Sequence, residues 1–184
     1  DIYGVRTGAL KEKPDDQSGK WIPVSRVICS FSPETSRLEK ETHQIYRSDK
    51  SLWEDSLRDH YIYDANGRLL YIVREKWNNG EFERDIKLRG KFLIKAHVIT
   101  PVIGWENLIR DSYIYDNEGV ITGDQVDRWD HVSNAWKPAY RYTRTHDRKG
   151  KIVAEDEEKW DEDNGSWSLM GQYTYICDNY GNTI

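Results

Sequence analysis

The residues with the most chemistry to offer are carboxylates that return beside tryptophans. Glu75-Lys76-Trp77, Asp127-Arg128-Trp129 and Glu158-Lys159-Trp160 each place an acid two residues before an indole. On an extended chain, residues two apart share a side, so acid and ring face the same way. Such a pair would stack on a sugar ring while the carboxylate accepts hydrogen bonds from its hydroxyls. A further tryptophan follows two of these triplets, Trp136 after Trp129 and Trp167 after Trp160. A carbohydrate site built this way would use Trp129, Trp136, Trp160, Trp167, Asp127 and Glu158. The plainer account makes the rings a core and pairs the acids with tyrosine hydroxyls, Lys or Arg, since buried polar groups need partners. We prefer it, because the need to fill a core explains a strict repeat without any ligand.

Other chemistry finds little footing. Phosphate-binding glycine loops, a Gly-x-Ser-x-Gly elbow and a His-Glu-x-x-His site are all missing from the sequence. His43, His60, His97, His131 and His146 show no ligand spacing, and His146 stands where other units carry tyrosine. Cys29 and Cys177 fall on the expected inner face and read as buried thiols, not a bridge. Asp161-Glu162-Asp163-Asn164-Gly165 has its glycine one residue too early for a calcium loop, which leaves a charged turn. Neighbours Glu157 and Glu158 face opposite sides of a strand and so would not flank one glycosidic bond. The expectation is no catalytic residue, no metal and no cofactor.

Composition narrows the partners. Of 184 residues, 37% are apolar and 32% charged, so a core must lean on eight Trp, twelve Tyr and three Phe. The net charge is −5, with bases alternating with acids, which argues against a phosphate-tracking surface and nucleic acid. The richest apolar run, Phe92 to Ile103, is broken by Lys95, His97, Thr100 and Pro101, too soon for a membrane span. A chain starting at Asp1 without Met fits one from which a signal peptide has been removed. A protein or glycan surface remains as the expected partner.

The elements that must hold these residues are written in a period. Trp105, Trp136 and Trp167 are 31 residues apart, and Asp116, Asp147, Asp178 and Gly119, Gly150, Gly181 keep that step. A period of this length marks a repeat in which each unit buries its apolar face against neighbours. In Tyr113-Ile-Tyr-Asp116-Asn-Glu-Gly119, an alternating strand meets a type I turn with Gly where φ > 0 is cheap. Regular pairing then sets Tyr115 opposite Ile121 and Tyr113 opposite Gly123, and puts both tyrosines, Ile121 and Trp129 on one face. The same ruler sets Tyr63 against Leu69 and Tyr61 against Tyr71, with Arg58, Arg68, Arg74 and Lys76 on the opposite, solvated face. It places Tyr46 as the counterpart of Trp129, and Pro14 at a tryptophan position. Units begin near Trp21, Trp53, Phe82, Trp105, Trp136 and Trp167, and Arg89-Gly90 would turn a shortened hairpin in the third. The expected architecture is one all-β repeat domain over residues 1–184, an antiparallel meander of about twelve strands. Because Asp1 to Gly4 matches Asp178 to Gly181, the sheet is expected to be closed into a barrel or strongly curled, with an open, twisted, solenoid-like sheet as the alternative.

Tyr61-Ile-Tyr63-Asp64-Ala-Asn-Gly67-Arg68-Leu69 resembles the tyrosine-aspartate (YD) repeat of Rhs and teneurin shell proteins, and Tyr113 to Gly119 and Tyr173 to Gly181 follow it. The Glu-Lys-Trp signature lies outside that repeat and is more similar to secreted, functionally unassigned repeat proteins of gut Bacteroidetes. The resemblance implies hairpins and an extracytoplasmic bacterial scaffold, and carries over no catalytic residue. The expected role is therefore a non-catalytic interaction or structural scaffold, secreted, periplasmic or at the cell surface. The alternative is a carbohydrate-binding module; a glycoside hydrolase comes third.

Overall fold

The computed structural model describes residues 7–78 and 103–176, together with the backbone of 86–88 and 92–94. These residues form strands and turns without a helix. The first five strands are β1 (Gly8–Pro14), β2 (Trp21–Phe31), β3 (Leu38–Arg47), β4 (Leu52–Tyr63) and β5 (Leu69–Asn78). Two short strands follow, β6 (Ile86–Leu88) and β7 (Phe92–Ile94). The last five are β8 (Gly104–Tyr115), β9 (Ile121–Asp130), β10 (Ala135–His146), β11 (Ile152–Asp161) and β12 (Ser166–Thr174). Ten make one sheet in the order β1-β2-β3-β4-β5-β8-β9-β10-β11-β12, and β6 pairs only with β7. This is the antiparallel meander the repeat predicts. Among the described residues β1 and β12 stand at opposite ends of this order with no ladder between them, so the expected barrel closure is not found there. Local hairpins specify only neighbours, whereas closure also demands a consistent tilt and stagger around the whole ring.

The turns form as their residues require. At Asp116-Asn-Glu-Gly119 the Gly119 amide donates to the Asp116 carbonyl at 3.1 Å, and the Asp116 amide donates to the Val120 carbonyl at 3.0 Å. The Asp116 side chain accepts from the Glu118 and Val120 amides, both at 2.9 Å, and Gly119 takes φ +85°. Asp147 binds the Lys149 and Lys151 amides in the same way, at 2.8 and 2.9 Å.

Bulges recur with the repeat. Beyond the first pair after the turn within a unit (Ser32-Pro33 in the first, an Asp turn in the other two), one residue of the returning strand is left over: Glu39 in β3, Thr122 in β9 and Val153 in β11. A second falls three residues after a tryptophan: Val24 in β2, Ala139 in β10 and Met170 in β12. Because side chains alternate with period two, each extra residue turns all that follow to the other face. Tyr115 does lie opposite Ile121, but Tyr113 lies opposite Asp124, not Gly123. Trp129 consequently points away from the tyrosines, correcting the expectation of one shared aromatic face. The same shift explains why Arg74 reaches Asp59, whose strand neighbours on that side are Tyr61 and Tyr63, while Arg58 reaches Glu75. Neither face is an arginine-lined solvent side.

The chain divides into two compact units, Asp1–Asp59 with Arg74–Asn107, and His60–Val73 with Leu108–Ile184. In the second, β9 to β12 carry Trp129, Trp136, Trp160 and Trp167 on one face, and Tyr140, Tyr142, Asp124 and Glu157 on the other. Among the described residues only Leu108 and Ile109 are buried hydrophobics, whereas Asp59, Asn78, Asp124, Asp127 and Glu157 are buried polar groups. Burial here depends on cross-strand partners more than on an oily interior. Expectations resting on Asp1 to Gly4, Phe82, Arg89-Gly90 and Cys177 to Gly181 lie outside the described residues. What is described of the third unit is the β6–β7 ladder, Ile86 to Ile94 through Leu88 to Phe92.

Candidate functional site

The tryptophans meet in pairs across the turns that join units. Trp129 and Trp136 are direct cross-strand partners with ring centroids 5.0 Å apart at 72°, and Trp160 and Trp167 repeat this at 5.2 Å and 69°. Tyr46 and Trp53 form the same edge-to-face contact at 5.2 Å, and Pro14 lies opposite Trp21, as the spacing predicts. Trp77 finds its partner in Trp105 at 5.3 Å, so here the segment carrying β6 and β7 separates two members of one pair. Each edge-to-face pair adds about 0.5–1.5 kcal/mol beyond the area it buries.

The predicted acids bind arginines. Asp127 is 3% exposed; its Oδ2 accepts from Arg110 Nε at 3.0 Å and Nη2 at 2.7 Å, and its Oδ1 accepts from Gln125 at 2.7 Å. Glu158 is held by Arg141 Nε and by Arg141 Nη2, the latter at 2.9 Å. Arg141's hydrogen bonds pull the Glu158 carboxyl below its ordinary pKa, and Glu158 in turn raises that of the guanidinium. Glu75 accepts from Arg58 at 2.6 Å.

Each of these arginines also covers a ring. Arg58 lies 4.2 Å from the Trp105 centroid, Arg110 5.2 Å from Trp136, and Arg141 4.8 Å from Trp167. Arg26 stacks on Trp53 at 4.4 Å and donates to Gln44, which takes the acid's place. The unit of construction is thus a guanidinium between an acceptor and the next tryptophan, joining charge-assisted hydrogen bonds to cation–π attraction. The preferred sequence account allowed Arg as the acids' partner but named no particular one, though they are legible: Arg26, Arg58, Arg110 and Arg141 each follow a tryptophan by five residues. Gln172 holds that place after Trp167 and donates to Asp156 at 2.8 Å.

All six predicted residues therefore share one face of β9 to β12, arranged as rows instead of a cleft. Glu157 and Glu158 do face opposite sides: Glu157 accepts from the Tyr173 hydroxyl at 3.1 Å, on the tyrosine face. On that face Arg144 approaches Asp124 at 2.5 Å and Glu155 at 2.9 Å. Burial, then the charges of Glu157, Asp124 and Glu155, pushes the Tyr142 hydroxyl well above its ordinary pKa, so it stays a neutral donor. The Asp161 loop is a hydrogen-bonded turn, its carboxylate accepting from the Asp163 amide at 3.0 Å and the Asn164 side chain at 2.6 Å.

No protein-family model and no curated protein matches the chain. Solved structures do. A Bacteroides fragilis protein of unknown function is similar with a TM-score of 0.60 at 13% identity, over 80% of this chain and 91% of that one. A DUF3836 family protein from Bacteroides vulgatus gives 0.46 at 18% identity, over 66% of this chain and 100% of that one. A second DUF3836 family protein, from Parabacteroides distasonis, gives 0.38 at 20%, over 63% and 91%. The Bacteroides fragilis likeness establishes a shared β-meander fold, and at such low identity it establishes the fold alone.

Proposed function

We propose that this chain is a non-catalytic interaction scaffold of a bacterial cell envelope or secretome, its hairpins of the tyrosine-aspartate kind serving as a ladder that displays loops. The observation that carries this reading is the fate of the candidate ligand residues. Asp127 Oδ2 and both oxygens of Glu158 accept from arginines, Asp127 Oδ1 accepts from Gln125, and Trp136 and Trp167 give a ring face to the same guanidiniums. Groups so engaged would have to break strong internal contacts before serving a sugar. The carboxylates are each matched with a cation, not with a second acid across a cleft, which supports a role without hydrolysis. Intrinsic tryptophan fluorescence titrated with a panel of oligosaccharides tests it: a scaffold gives no saturable change. Fractionation of source cells tests location, with recovery confined to the cytoplasm removing the extracytoplasmic part.

One observation favours the carbohydrate-binding reading. Trp21 is 68% exposed opposite Pro14, an open indole at the end of the aromatic row. A saturable fluorescence shift that Trp21→Ala abolishes would replace the scaffold with a glycan-binding module.

A further inference from the structure

We propose that Glu41, His43 and Asp59 form a divalent-metal site of the zinc class, with Cys29 in reach as a fourth donor. The inference does not depend on the scaffold reading. In the β2–β3 ladder Cys29 lies opposite Glu41 and Val27 opposite His43, so thiol, carboxylate and imidazole share one face; Asp59 joins them from β4. Ligand atoms of Glu41, His43 and Asp59 all lie within 4.8 Å of one another. Around a tetrahedral ion with bonds of about 2.0–2.1 Å, ligand atoms stand roughly 3.4 Å apart, so modest side-chain rotation closes the set.

Three features single this cluster out from the acid-rich surface. His43 Nε2 is buried with no hydrogen-bond partner, 3.9 Å from Asp59 Oδ2. A buried imidazole nitrogen without a partner is costly unless something else uses its lone pair. Asp59 is 3% exposed, and each of its oxygens accepts one bond from Arg74, at 2.6 and 2.5 Å; this orients the carboxylate as metal-site partners do and leaves a second lone pair on each oxygen for an ion, which a metal can take without breaking the pair. Cys29 Sγ lies 3.6 Å from Glu41 Oε1, which brings a soft donor to the edge of the set.

The repeat does not ask for this cluster. Three residues before the ring that ends each unit stand His43, Arg74, Val126 and Glu157, and five before it Glu41, Ile72, Asp124 and Glu155. The imidazole occurs once, where packing periodicity gives no reason for it. A cavity of about 310 Å³ beside it, lined by Val27, Cys29, Phe31, Leu38, Glu41 and His43, supplies access and an apolar wall. Imidazole, carboxylate and thiol together select a borderline ion such as Zn²⁺ over the oxygen-seeking Ca²⁺ and Mg²⁺.

Zinc chloride titrated calorimetrically into chelator-treated full chain will show one site per chain. His43→Ala and Glu41→Gln will each weaken it at least about tenfold, while His131→Ala, in an exposed turn, will leave it unchanged. Should His43→Ala fail to fold, as judged by circular dichroism, His43→Gln takes its place. Cobalt(II) will give a thiolate-to-metal absorption that Cys29→Ser removes. No uptake by the folded wild-type chain, or uptake left within about twofold by both ligand substitutions, overturns the site. Cobalt uptake without the thiolate band removes Cys29 from it.

Discussion

At the scale of single residues, position decides what a charge is worth. Arg110 neutralises a carboxylate that is almost wholly buried, so Arg110→Ala strands a charge and also strips a cation from Trp136. Discounted for the arginine's own partial exposure, the expected loss is about 2–3 kcal/mol in urea unfolding. Arg128 also pairs with an acid, Glu162, but both are about half exposed, and Arg128→Ala is expected to cost less than about 1 kcal/mol. The turn aspartates predict a pH dependence. Amides of Lys151 and Lys149 hold the Asp147 carboxyl below its ordinary value of 3.8, as the Arg68 amide does for Asp64 and the Asn164 side chain for Asp161. A lowered folded-state pKa contributes stability above the ordinary value and loses it as pH falls through the folded one. The melting temperature should therefore be flat near about pH 5–7 and drop as pH falls below 3.8, with Asp147→Asn flattening part of the drop. The Asp-x-x-Gly turn was legible from its residues. The arginine partners were legible only in hindsight, because their step matters once the acids on the facing strand are known.

Among the elements, glycine positions separate a turn requirement from a packing one. Gly119 sits at φ +85°, and Gly119→Ala is expected to cost about 1–2 kcal/mol by thermal or urea melts. Gly123 lies within β9, where an added Cβ would run into the Tyr142 carbonyl oxygen of β10. Because the obstacle is backbone, the strands must part, and Gly123→Ala should cost more, at least about 2 kcal/mol. Strand existence, order of hairpins and the ring pairs Trp129–Trp136 and Trp160–Trp167 follow from alternation and turn chemistry. The bulges at Thr122 and Ala139 do not. Nothing in Ile-Thr-Gly or Pro-Ala-Tyr announces a residue left out of the ladder, yet each decides which face later side chains occupy.

For the molecule as a whole, burial is uneven and so should be its resistance to opening. Leu108, Ile109, Asp124 and Asp127 are buried in β8 and β9, whereas Leu10 in β1 and Leu169 and Met170 in β12 are exposed. Amide hydrogen exchange is expected to be slowest in β8 and β9 and fastest in β1 and β12, and mass spectrometry of the exchanged peptides checks it. The period by itself determined an all-β meander and the identity of its turns, since hairpins are specified by residues close in sequence. Only the tertiary structure decided that the described β1 and β12 share no ladder, that tyrosines and tryptophans occupy opposite faces, and that Glu41, His43 and Asp59 converge. Those outcomes depend on bulges and on neighbours two strands apart, and period-two alternation carries no record of either.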